Sequence, residues 1–302
     1  MEDSRKYLSP QTLAKLKGLE LKARLIVEGF VSGMHKSPYQ GFSVEFAEHR
    51  EYAPGDDLRY VDWKLYGKTD RYYLKQYEEE TNFACYLLLD CSESMQYRSE
   101  DAAVSKLEYA QYIAAALAYL IIRQRDAVGL VTFDTQITNL IRPSSQPSHL
   151  QQLFGVMDQT PAGGETALGP ILNELAERIG KRSLVILLSD LFDETDAIVR
   201  GLKHLRHRRH DVSVMQVLDP AELDFPFEDP TLFKGLEQAS EQMVEPRNLR
   251  HAYRREFEQF LHEIQQACRD LKMDHHVLRT DAPLDVALSA FLSPRMHRAG
   301  RT

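Results

Sequence analysis

Two hydrophobic periods alternate along this chain from residue 82 onward. Ala84-Cys85-Tyr86-Leu87-Leu88-Leu89 and Leu184-Val185-Ile186-Leu187-Leu188 are unbroken apolar runs. A run without alternation suits a strand covered on both faces, as in a parallel sheet. Between such runs the apolar residues recur at helical spacing, as in Leu168, Ile171, Leu172 and Leu175. The pattern predicts strands over 83–89, 127–133, 136–141, 183–188, 212–218 and 275–279. It predicts helices over 105–125, 148–157, 166–179, 196–208, 249–271 and 284–292. Strands 127–133 and 136–141 turn at Asp134-Thr135 and form a pair. The alternation therefore predicts an α/β fold, a doubly wound, mainly parallel sheet with one antiparallel edge strand.

Three stretches depart from this rhythm. The interval 219–246 is rich in Pro and acidic residues and predicts a loop and short hairpin inserted before the long helix. Helix 105–125 carries Ile113 to Ile122, apolar on nearly every side. A helix apolar all round is buried all round, so a neighbouring helix, the N-terminal segment or a partner must cover it. The first 80 or so residues have a different texture: a helix near 10–19, then turns and mixed charges. In residues 50–63, Arg50, Glu51, Asp56, Asp57, Arg59 and Asp62 surround Tyr52, Tyr60 and Trp63. The structural interpretation is a network of ion pairs and turns that docks this segment on the sheet; the functional one is a recognition surface.

Composition narrows the function classes. A formal net charge of -8 argues against general affinity for nucleic acid. Cys85, Cys91 and Cys268 form no CxxC pair and read as buried thiols in a reducing compartment, without disulfides. Met1-Glu2-Asp3-Ser4-Arg5 does not start like a signal peptide. The longest apolar run, 113–122, falls short of the roughly 18 residues that suggest a spanning helix. The expectation is a cytoplasmic protein without a membrane segment of its own. His204, His207 and His210 lie at a helix end, where cations complement the dipole. His275 and His276 point to opposite faces of a strand, which prevents joint chelation.

The chemistry concentrates at strand ends. Asp90-Cys91-Ser92-Glu93-Ser94 follows the first core strand, and spacing by two lets Asp90, Ser92 and Ser94 aim oxygens at one point. All-oxygen ligation suits a hard cation: Mg²⁺, with Mn²⁺ or Ca²⁺ as alternatives. Gly163-Gly164-Glu165-Thr166 adds a hydroxyl at a glycine-rich turn, and Ser189-Asp190 ends another core strand. Without a metal, the same residues would simply cap a strand-to-turn transition. A cation held mostly by neutral hydroxyls seeks one more anionic oxygen, such as a partner's Asp or Glu. The rival function is a metal-dependent hydrolase using Asp90 and Asp190. It lacks an adjacent His as base, and residues 161–169 lack the Gly-Lys-Ser/Thr of a phosphate loop.

Asp-x-Ser-x-Ser, then Thr166, then Asp190 resembles the metal-ion-dependent adhesion site of von Willebrand factor A domains. The resemblance implies that Ser92, Ser94 and Thr166 meet the metal directly or nearly so, and Asp90 and Asp190 mainly through water. Glu45-Phe46, Arg50-Glu51-Tyr52, Gly55-Asp56-Asp57, Arg59 and Asp62-Trp63 are similar to the signature of the bacterial domain-of-unknown-function-fifty-eight family, which joins it to a von Willebrand A-like domain. The resemblance implies an N-terminal signature segment, 1–81, packed on a von Willebrand A-like domain, 82–302. It also implies a non-enzymatic binding module, an adaptor or cofactor of a MoxR-type AAA+ ATPase in assembly or maturation of a client complex. The client would contribute the acidic residue at the metal.

Overall fold

The computed structural model describes residues 9–34, 50–51, 73–74, 84–161, 163–164, 166–229, 231–234 and 241–299. Ten strands run in chain order: β1 Arg50–Glu51, β2 Tyr73–Leu74, β3 Ala84–Asp90, β4 Ala127–Phe133, β5 Ile137–Ser144, β6 Leu184–Ser189, β7 Asp211–Leu218, β8 Thr231–Lys234, β9 Glu241–Val244 and β10 Asp274–Arg279. Six of them form one sheet in the order β10-β7-β6-β3-β4-β5. All neighbours are parallel except β4 and β5, so the sheet is a doubly wound, mainly parallel arrangement with one antiparallel edge strand.

Strand order explains where a site can form. From β3 the chain builds outward to β4 and β5, then returns to the other side of β3 and builds β6, β7 and β10. The order reverses between β3 and β6. The crevice outside their carboxyl ends is a topological switch point, where open α/β sheets bind ligands. Leu89 pairs with Leu188, so Asp90 and Ser189 stand side by side at that edge.

Alternation of side chains across the strands splits the core into two layers. Cys85, Leu87, Leu89, Ile186, Leu188, Met215 and Val217 face one layer. It is covered by helices α2 Leu19–Met34, α3 Lys106–Arg123, α4 His149–Gln159 and α9 Leu284–Ala299. Leu88, Val185, Leu187, Val212 and Val214 face the other, under α5 Leu168–Arg178, α6 Thr195–His207 and α8 Pro246–Asp270. Helix α3 starts at a capping box between Ser105 and Glu108 and then buries nearly its whole circumference. Its outer cover comes from the N-terminal region: Ala23, Ile26, Val27 and Phe30 of α2 share its core cluster.

Several elements differ from the sequence expectations. The single helix expected near 10–19 is instead a short α1, Pro10–Ala14, capped by Ser9, and α2 follows it. The break falls at Gly18, whose φ of 85° is left-handed backbone that favours glycine. Strand β5 continues through Pro143 to Ser144, which an edge strand allows because one side of it pairs with nothing. Gly129 is obligatory opposite it: a Cβ there would meet the Ile141 carbonyl at 2.5 Å. The last helix runs to Ala299 rather than 292. Within 219–246 lie a short helix, α7 Pro220–Asp224, and the antiparallel hairpin β8–β9. Of the charged signature, Arg50 and Glu51 pair with Leu74 and Tyr73; residues 52–72 lie outside the described residues.

Candidate metal centre at the switch point

Strand β3 delivers Asp90 to the sheet edge fully buried. The chain then turns sharply. The Cys91 amide donates to the Phe133 carbonyl at 2.7 Å, and the Ser92 amide donates to Asp90 Oδ1 at 2.9 Å. A 3-10 turn over Glu93–Gln96 follows, bringing Ser92 Oγ within 3.1 Å of Ser94 Oγ. Asp90, Ser92 and Ser94 thus share one buried pocket of oxygens, as their spacing predicts.

The glycine-rich loop is stitched to this turn through its backbone. The Gly163 amide donates to the Cys91 carbonyl at 2.9 Å, and the Glu93 amide donates to the Gly164 carbonyl at 3.0 Å. Gly164 uses a φ of 79° to make this turn. Thr166 follows two residues later, half-buried, on the wall of a cleft of about 410 Å³ that also touches Asn173, Asp193 and Arg200. Asp193 fixes the start of α5 by accepting from the Leu168 amide at 2.8 Å. Close contact then locks α5 to α6, since a Cβ on Gly201 would meet Leu172 Cβ at 2.6 Å.

Asp190 arrives at the same edge from β6, and its surroundings differ sharply from those of Asp90. Its Oδ2 accepts from Lys106 Nζ at 2.7 Å, and its Oδ1 accepts from the Phe192 amide at 3.1 Å. Lys106 is 0% exposed and also reaches Glu222 Oε1 at 2.5 Å. Burial works against its charge, but Asp190 and Glu222 outweigh that and raise its pKa, so the ammonium persists. Asp90 has no such partner. Its donors are neutral, the Ser92 amide and the Ser189 hydroxyl at 2.5 Å from Oδ2. Burial first, and the nearby Asp190 second, push its pKa up to about 7.

Sequence reasoning placed Asp90, Ser92, Ser94 and Asp190 at this edge but missed Lys106, Ser189 and Glu222. One signal was present for Lys106. A cation in the first turn of an apolar helix opposes the helix dipole and calls for a nearby anion.

The donor set fits a hard divalent cation. Asp90 is a buried carboxylate whose hydrogen-bond donors are all neutral, and two clustered hydroxyls lie beside it. Among the described residues no three His, Cys, Asp or Glu side chains gather as a cluster that could hold a metal.

A doubly wound α/β domain with an oxygen cluster at its switch point is therefore the class of this protein. Its family follows from comparison. The model of the family described as "Protein of unknown function DUF58" matches residues 48–265, and the chain belongs to that family. Uncharacterized proteins of Mycobacterium tuberculosis and Mycobacterium bovis are each 27% identical to it over 220 residues, 72% of this chain and 68% of theirs. Similar solved structures include the conserved hypothetical protein BatB from Bacteroides thetaiotaomicron. That likeness has 17% identity and a TM-score of 0.46, covering 72% of this chain and 99% of the other. The SpRpn10 VWA domain is similar at 12% identity and a TM-score of 0.39, covering 67% and 89%.

Proposed function

We propose that this protein is a non-enzymatic, cation-dependent protein-binding module, and that it serves as adaptor or cofactor of a MoxR-type AAA+ ATPase in assembling or maturing a client complex. The observation that carries the site is Asp90: buried, unpaired with any cation among the described residues, and set beside the Ser92 and Ser94 hydroxyls. A bound Mg²⁺, Mn²⁺ or Ca²⁺ supplies a positive charge with an open position for an outside carboxylate. Ser92 and Ser94 present neutral oxygens and Ser189 orients Asp90; Thr166 would add its hydroxyl from the segment after Gly163 and Gly164, whose backbone is tied to Cys91 and Glu93. An acidic residue of a client then meets an incompletely neutralised cation. The ATPase assignment rests on the family resemblance alone.

The alternative, a hydrolase using Asp90 and Asp190, needs one carboxylate free to take a proton or to attack. Both Asp190 oxygens are already engaged. Among the described residues, no helix is long and apolar enough to cross a membrane. Calorimetric titration of wild type, Ser92→Ala and Thr166→Ala against a MoxR-type ATPase, in Mg²⁺ and in EDTA, tests the proposal. Loss of a charge-assisted contact lowers affinity on the order of tenfold to hundredfold. Equal affinity in all six combinations would refute it and move the search to residues 50–63.

A further inference from the structure

Lys106 is a fully buried cation placed against the helix dipole. It occupies the first position of α3, where the helix dipole disfavours a cation. Its ammonium lies between Asp190 Oδ2 and Glu222 Oε1 with the Phe192 ring 4.5 Å away and the Tyr97 ring 5.8 Å away. Each partner is itself fixed. Glu222 Oε2 accepts from the Asp219 amide at 2.8 Å, and the Glu222 carbonyl accepts from the Tyr253 hydroxyl at 2.9 Å. Gln216 Nε2 donates to the Asp190 carbonyl at 3.0 Å. Buried ion pairs seldom stabilise a fold more than apolar residues of the same volume. A buried cation held this firmly beside a cluster of cation-seeking oxygens therefore calls for an explanation in terms of the site.

We propose that Lys106 is a resident counter-ion that holds Asp190 in place of a divalent cation, so that a cation at Asp90, Ser92 and Ser94 is bound without the second carboxylate and keeps charge for an acidic partner. This deepens the binding-module function and rests on it. With Asp190 neutralised from inside the protein, the cation is held weakly alone and firmly only when an outside carboxylate joins it. Glu222 sets the balance because it shares the ammonium. Weakening Glu222 leaves Lys106 wholly to Asp190, whereas removing the ammonium frees Asp190 for the cation.

The two changes therefore move cation affinity in opposite directions, whereas a Lys106 too far from the cation site to act on it would shift neither. The test is titration of the full-length chain with Mn²⁺, first alone and then with acetate, following the spin-resonance signal of free Mn²⁺. Wild type, Ser92→Ala, Lys106→Met and Glu222→Gln are compared. Lys106→Met is expected to bind Mn²⁺ about tenfold tighter, and Glu222→Gln a few-fold weaker, by removing or sharpening one nearby positive charge. Binding by Lys106→Met, with wild type binding too weakly to detect unless acetate is added as an outside carboxylate, also supports the proposal; no wild-type binding even with acetate overturns it. If wild type binds in a Ser92-dependent way but the two variants do not shift in opposite directions, Lys106 has no such role and the cation site stands. If neither wild type nor Lys106→Met binds, both fail. Should Lys106→Met not fold, Glu222→Gln decides alone: weaker binding supports the proposal, unchanged or tighter binding overturns it.

Discussion

Asp90 and Asp190 end neighbouring strands at one edge of the sheet, and the protein compensates them in opposite ways. Asp190 receives a buried ammonium and a backbone amide. Asp90 receives a backbone amide and a serine hydroxyl, with no cation among its described donors. Equal burial thus produces one carboxylate whose counter-charge is supplied and one without a counter-charge among the described residues. Burial alone does not mark a functional carboxylate; what matters is whether the protein has already supplied its counter-charge.

The largest test of that contrast is stability. Lys106→Ala strands Asp190 and Glu222 without their cation and is expected to cost about 3–5 kcal/mol. Asp90→Asn removes a buried charge that lacks a counter-charge among the described residues, so it is expected to leave stability at pH 7 unchanged or to raise it. Urea unfolding of both variants reads the difference directly. A loss at Asp90→Asn as large as that at Lys106→Ala would abolish the distinction.

A smaller effect sharpens the Asp190 side through pH. His275 Nε2 donates to Gln216 Oε1 at 3.0 Å, and Gln216 in turn holds the Asp190 carbonyl. Burial, then the neighbouring His276, lowers the His275 pKa from 6.5 to about 4. Because the folded state disfavours protonation, unfolding takes up a proton between these values. Stability is therefore full above about pH 6.5 and declines toward pH 4, by about 2–3 kcal/mol. Thermal unfolding from pH 7.5 to 4.5 should show this loss in wild type and a reduced loss in His275→Gln. An equal decline in both would place the pH response elsewhere.

The smallest effect falls on the Asp90 side. Ser92→Ala removes a hydroxyl whose side-chain partner is Ser94 and is expected to cost about 1 kcal/mol in the absence of metal. Mg²⁺ is expected to raise the melting temperature of wild type and leave that of Ser92→Ala unmoved. A Mg²⁺ response that survives in Ser92→Ala would place the cation away from this cluster.

Much of this edge was legible in the sequence, for physical reasons. The apolar runs ending at Leu89 and Leu188 can only be doubly covered strands, so the polar residues after them must fall at a sheet edge. Spacing by two then brings Ser92 and Ser94 together. Lys106 carried only a weak signal, its place against the helix dipole, because a lysine after a serine cap otherwise reads as a solvated helix start. Its partners Asp190 and Glu222 are 84 and 116 residues away in the chain. Helix α2, Leu19–Met34, was missed as a whole, since the expected helix ended at 19. Its apolar positions are spaced for a helix, but the expected segment of 10–19 straddled the turn at Gly18 and stopped where α2 begins.

Cys91 lies between Asp90 and Ser92, and its thiol is almost wholly inaccessible. Burial, then the charges of Asp90 and Asp134, raise its pKa to about 12, so the reactive thiolate is scarce while the edge stays closed. Cys85 and Cys268 are buried as well, in the two opposite layers of the core. The three thiols therefore form a built-in clock. Alkylation at Cys91 times the opening of the Asp90 turn, while Cys85 and Cys268 time the unsealing of each core layer, and mass spectrometry can follow all three in one unmodified chain.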